Sequence, residues 1–221
     1  MKLAISALIK FTVGLALVGL LLFLPAGTLS YANGWLFIGL LFLPMLLLGI
    51  VLLIRSPKLL EKRLGVKEKE NTQKGVVAAS GLLFIAGFAV AGLDFRFGWS
   101  EMPMWVVIVT SVVLLISYAL YAEVMRENAY LSRTVEVREG QKVVDTGLYG
   151  IVRHPMYAVT VWLFLSIPVV LGSWWACLCF LPYVALIVIR IINEEKLLLA
   201  ELEGYEEYKK RVRYRLLPFI W

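Results

Sequence analysis

The stretch RHPMYAVTVWLFLSIPVVLGSWWACLCFLPYVALIVIR, residues 153–190, holds 36 residues without a formal charge between two arginines, counting His154 as neutral. One membrane-crossing helix needs about 20 apolar residues, so this run is too long for one span and too short for two comfortable ones. With a turn at Gly172-Ser173, each arm has about 17 residues and reaches about 25 Å. The stretch is expected to form a foreshortened helical hairpin whose turn, with Trp174 and Trp175, meets the far interface. Pro168 and Pro182 are expected to bend its arms. Arms of equal length return residue 154 and residue 190 to one depth. Arg153, His154 and Tyr157 should therefore face Arg190, Glu194 and Glu195.

The rest of the chain fits a bilayer as well. Of 221 residues, 61% are hydrophobic and only 17% charged, which lies outside the range of soluble globular domains. Residues 11–54, 75–93 and 102–122 also lack Asp, Glu, Lys and Arg. Pro25-Ala26-Gly27 and Asn33-Gly34 divide the first of these runs into two helices. Helices near 75–93 and 103–125 follow, and Trp99 and Trp105 suit an interfacial belt between them. The fold class is thus all-α: a polytopic membrane bundle of four spanning helices plus the short C-terminal hairpin, five to six membrane helices in all. A cytoplasmic amphipathic helix is expected near the C-terminus. Residues 1–125 read as scaffold and 126–221 as the functional region of a single membrane domain.

The net charge of +6 follows topology. The connection at 25–34 carries no charge, whereas 55–74 holds seven cations; 94–101 has only Arg96, and 123–153 has five. Cations at every second connection place both termini in the cytoplasm. Lys10, about a turn inside the first helix, is expected to extend its ammonium to the interface. Met1-Lys2 and the apolar run after it could be a secretory signal, but the second apolar run follows almost at once, and an uncleaved first span fits better. Around Thr134-Val135-Glu136-Val137-Arg138 the pattern alternates and suggests a small extended hairpin over 130–146. Cys177 and Cys179 point to different helix faces and read as packing residues. With one histidine and no Cys/His cluster, no metal site is expected.

At the inner end of the hairpin, Pro155 suits the first position of a helix, which sets Arg153 and His154 beside a positive helix end able to receive an anion. Arg190 and Glu194, four residues apart, share a helix face, and Glu195 is turned about 100° away. Carboxylates at this depth require partners or a ligand. Taken singly, Arg153 could be an interfacial anchor and the Arg190–Glu195 run the charged end of a span; their meeting across the hairpin favours a site.

Gly147-Leu-Tyr149, Arg153-His154-Pro155-Met-Tyr157, Arg190-Ile-Ile-Asn-Glu194-Glu195, Tyr205-Glu-Glu-Tyr208 and Pro218, in this order, resemble the membrane methyltransferases related to isoprenylcysteine carboxyl methyltransferase and the phospholipid N-methyltransferases. The resemblance covers roughly residues 130–221. It implies that the last helices enclose S-adenosylmethionine at the cytoplasmic side, and that a lipophilic small molecule or lipid enters from the bilayer as methyl acceptor. By position it implies that Gly147, Tyr149, Arg153, His154, Tyr157 and Glu194 line the cofactor, and that Arg190 and Glu195 lie nearest the transferred methyl. A carboxylate acceptor would be oriented by Arg190 and need no base; an amine would need one, for which Glu195 is the candidate. Val159 stands where the family commonly has glycine, and Gly204 directly precedes Tyr205 where the family's glycine lies further ahead. Two other classes compete: a membrane reductase of the sterol and steroid type using reduced nicotinamide dinucleotide phosphate, and a non-catalytic membrane scaffold. No nucleic-acid partner is expected.

Overall fold

A computed structural model describes residues 2–64, 71–128, 130, 137 and 140–221. Nine α-helices run through them: α1 (Lys2–Ala26), α2 (Ala32–Arg55), α3 (Pro57–Leu64), α4 (Asn71–Phe97), α5 (Met104–Glu127), α6 (Pro155–Val170), α7 (Trp174–Phe180), α8 (Pro182–Glu201) and α9 (Tyr205–Arg211). A 3-10 turn, Gly147–Gly150, precedes α6. No strand occurs among the described residues. The extended hairpin expected over 130–146 falls in part on residues outside them, 131–136 and 138–139, and 140–146 is irregular chain.

Five helical segments are long and apolar enough to cross a membrane: Leu3–Ala26, Ala32–Arg55, Gln73–Phe97, Met104–Glu127 and Trp174–Glu201. Their outward surfaces carry side chains such as Leu8, Leu24, Leu47, Ile54, Leu82 and Val112, all more than half exposed. Water would penalise so much exposed apolar surface, whereas lipid tails accommodate it and the helices satisfy their own backbone polar groups. The protein is an integral, multi-pass membrane protein.

The first apolar run divides into two helices as expected, with the break between Ala26 and Ala32. α1 runs through Pro25 and closes at Gly27, whose φ is 69°, and Asn33-Gly34 lies inside the first turn of α2. Tyr31 sets this boundary: it is buried, its ring stacks on Phe95 at 4.4 Å, and its hydroxyl donates to the Leu171 carbonyl at 2.5 Å. Lys10 donates to the Leu64 carbonyl at the end of α3, so its charge meets a helix C-terminus.

The hairpin begins at α6, with His154 as N-cap and Pro155 in the first turn. Pro168 lies inside α6, while Pro182 opens α8 after a break at Leu181, so the returning arm consists of two helices. At the hairpin's turn, Ser173 caps α7 by accepting the Ala176 N–H at 3.0 Å. It also donates to the buried carboxylate of Asp94, which accepts from the Ser100 N–H at 2.7 Å and the Ser100 hydroxyl at 2.6 Å. The end of α4 and the hairpin turn are thereby joined by polar contacts. Between them an aromatic group fills the core: Phe84 meets Phe164 at 4.6 Å and Phe180 at 5.2 Å, and Phe164 meets Tyr183 at 4.9 Å. Gly87 admits this packing, because a β-carbon there would lie 2.2 Å from the Phe180 ring. α6 packs along α5, with Val159 buried against Val124 and Tyr149. The valine occupies a position where glycine is common in the resembled family, and α5 supplies its contacts.

Candidate functional site

The two ends of the hairpin meet. Arg153, just before α6, directs Nε and Nη2 at Glu195 Oε1, each at 2.7 Å. Its Nη1 donates to the carbonyls of Val212 at 2.8 Å and Arg213 at 2.7 Å. His154 Nε2 lies 3.3 Å from the same Glu195 oxygen, and Arg215 Nε donates to Glu195 Oε2 at 2.9 Å. Arg153, His154 and Glu195 are all buried. Glu195 is therefore an anion held among three cationic or potentially cationic side chains, the kind of compensation that a buried carboxylate requires.

Glu194 faces elsewhere, as its position on α8 dictates. The Tyr157 hydroxyl donates to Glu194 Oε2 at 2.5 Å and accepts from Arg190 Nε at 2.9 Å. The Arg190 guanidinium also sits 5.8 Å from the centre of the Tyr157 ring, and His154 stacks on that ring at 5.7 Å. A line from Arg190 through Tyr157 to Glu194 thus lies beside the Glu195 cluster, and Tyr157 and Glu194 keep part of their surface open.

The anion-receiving corner expected at Arg153 and His154 takes a different form. Their backbone N–H groups donate to the carbonyls of Tyr214 and Arg215, both at 2.9 Å. The C-terminal segment therefore closes over this corner, pairing backbone with backbone. Three N–H groups of that segment, from Arg215, Leu216 and Leu217, converge on the Trp221 carbonyl at 2.8, 3.0 and 3.3 Å.

Gly147 and Tyr149 flank the site on the 3-10 turn. The Leu148 N–H donates to Glu127 Oε2 at 3.1 Å. Gly147 has a φ of 51°, and a β-carbon on it would fall 1.4 Å from Glu127 Oε1, so only glycine admits the carboxylate there. Tyr149 is buried; its hydroxyl accepts from Asn128 Nδ2 at 3.0 Å, and its carbonyl accepts from the Tyr208 hydroxyl at 2.7 Å. Burial raises the Tyr205 and Tyr208 phenols above their ordinary range and keeps both neutral. The Tyr205 hydroxyl is buried without a hydrogen-bond partner among the described residues, although the charges of Glu195, Arg153 and Glu194 act on it.

Glu127, Asn128, Arg215 and Trp221 are absent from the site read from sequence. Glu127 and Asn128 end a span and resemble interfacial residues. Arg215 lies in a run of cations, Lys209 to Arg215, that topology alone accounts for.

Residues 105–200 match the model of the isoprenylcysteine carboxyl methyltransferase (ICMT) family. The chain carries an ICMT-like segment. It spans α5, the 3-10 turn, the hairpin and nearly all of α8, and so includes Arg153, His154, Tyr157, Arg190, Glu194 and Glu195. The family is one of methyltransferases by its description. Tyr205, Arg215 and Trp221 lie beyond the ICMT-like segment. No curated protein matches the chain.

Proposed function

We propose that the protein is an S-adenosylmethionine-dependent methyltransferase acting on a lipophilic, membrane-embedded acceptor. The observation that carries this reading is the Arg190–Tyr157–Glu194 line, set beside a charge-compensated cluster inside an ICMT-like segment. The donor set fits the cofactor. Glu194 offers a carboxylate to amino or hydroxyl groups, and the partnerless Tyr205 hydroxyl is a buried group that a polar ligand would satisfy. When bound, S-adenosylmethionine supplies an electrophilic methyl whose transfer needs alignment and exclusion of water.

The residues divide the work. Tyr157 and Glu194 bind; Arg190, fixed by the Tyr157 hydroxyl, orients the acceptor; Gly147 and Tyr149 shape the approach through Glu127, Asn128 and Tyr208. Arg153, His154 and Glu195 hold the hairpin ends and the C-terminal segment together. Glu195 is thus better suited to positioning than to the basic role considered for an amine acceptor, because both of its oxygens already accept from cations. Tyr157 packs against the buried apolar cluster of Tyr183, Ile187, Ile191 and Leu216, which supports an acceptor that is itself apolar. Residues 1–221 form one membrane domain in this account, with both termini cytoplasmic as the alternation of cationic connections supports.

Purified protein in detergent should melt at a higher temperature with S-adenosylhomocysteine and be unaffected by reduced nicotinamide dinucleotide phosphate; a ligand at a hundred times its Kd stabilises by about 2.7 kcal/mol. Stabilisation by the nicotinamide cofactor alone would replace this reading with the reductase one.

A further inference from the structure

Arg153 is the cation that the sequence points to for an anionic ligand, but its guanidinium is engaged by Glu195 and by the carbonyls of Val212 and Arg213. Arg190 is committed at Nε to Tyr157. Arg215 differs from both. Its Nε is fixed on Glu195 Oε2 at 2.9 Å and its guanidinium carbon lies 4.9 Å from the centre of the Trp221 ring. The two terminal nitrogens carry no hydrogen bond among the described residues, and the side chain retains 29% of its exposure. Its backbone is held on both sides, the carbonyl accepting from the His154 N–H and the N–H donating to the Trp221 carbonyl.

We propose that Arg215 is the anion-binding residue of this site and takes the carboxylate of the methyl donor's amino-acid portion. This rests on the S-adenosylmethionine reading above. A guanidinium anchored through Nε and packed on an indole presents its Nη1–Nη2 edge in a fixed plane, the fork that matches a carboxylate with two parallel hydrogen bonds. Preorganisation of this kind spares the entropy of ordering a long side chain. Charge balance points the same way. The single anion Glu195 is shared by Arg153 and Arg215, with His154 beside them, so this corner carries an excess of positive charge that an anionic ligand offsets. The polar end of the donor is thereby assigned to the C-terminal segment, and the apolar side of Tyr157 is left to the acceptor.

The test compares S-adenosylhomocysteine with its decarboxylated counterpart by calorimetric titration into the full-length protein in detergent. In the unmodified protein, removal of the carboxylate should weaken binding roughly tenfold to a hundredfold, as expected for a charged hydrogen-bonded pair. In Arg215→Gln the two ligands should bind alike, with the decarboxylated ligand keeping its original affinity. Full discrimination retained in Arg215→Gln overturns the assignment, and so does an equal loss for both ligands, which would mark a purely structural role. If Arg215→Gln unfolds the segment, Arg215→Lys is read on the same scale: it keeps the charge but loses the fork, and undiminished discrimination there also overturns the proposal. An unmodified protein that binds neither ligand overturns the cofactor reading itself. One that binds both equally overturns only the carboxylate assignment.

Discussion

Glu194 and Glu195 are neighbours in sequence and differ in everything that decides their chemistry. Glu194 is part-exposed and accepts from one tyrosine, while Glu195 is buried and accepts from two arginines beside a histidine. Neutralising Glu195 leaves Arg153 and Arg215 without their anion, and breaking a buried pair in this way costs about 3–5 kcal/mol. Glu195→Gln should therefore lower the melting temperature in the absence of any ligand, read by thermal unfolding in detergent. Unchanged melting with lost turnover would restore a direct role in proton transfer. At this scale the sequence shows which residues meet, because the uncharged run between Arg153 and Arg190 folds back on itself and the i, i+4 spacing of Arg190 and Glu194 sets their face; the arms are unequal, 16 residues in α6 against 28 in Trp174–Glu201, so Arg153 and His154 meet Glu195 while Arg190 meets Tyr157. It does not show what each side chain spends its bonds on. Arg153 looks like a ligand cation until the C-terminal segment, distant in sequence, supplies the carbonyls of Val212 and Arg213 that occupy it.

Among the helices, the hairpin carries the most information. The shortness of its first arm, the 16 residues of α6, is legible from charge spacing, whereas its second arm, Trp174–Glu201, is long enough to cross a membrane; Pro155 at the start of α6 follows from the missing proline donor. The break at Leu181-Pro182 is visible only as a bend, since the residues on either side are as apolar as a continuous helix would be. Asp94 is the element-scale feature that sequence leaves unclaimed: it is a buried carboxylate joining α4 to the hairpin turn through Ser100 and Ser173. Asp94→Ala strands those donors in partly or fully buried positions, at about 1–3 kcal/mol for an unsatisfied group. Thermal melting should fall accordingly. A variant as stable as the original would show that the hairpin's depth is set by the aromatic packing of Phe84, Phe164 and Phe180 alone.

For the whole molecule, the apolar surfaces of the spans fix the environment, and the buried charged groups among the described residues gather at two places. One is the Asp94 knot at the hairpin turn; the other is the cluster at the hairpin's open end, overlaid by the C-terminal segment. The bundle and its membrane class were legible because every apolar run had to become a helix in lipid. The closure of 212–221 over the site was not, because this segment is short, cationic and irregular, and its contacts are backbone hydrogen bonds that composition does not encode. The most direct measurement supplies isotope-labelled S-adenosylmethionine to membranes containing the protein or its Glu194→Gln variant and follows the label into extracted lipids and small hydrophobic molecules by mass spectrometry. Label in at least one such molecule with the unmodified protein, reduced with the variant, is the expected result; equal labelling with and without the protein would contradict the assignment.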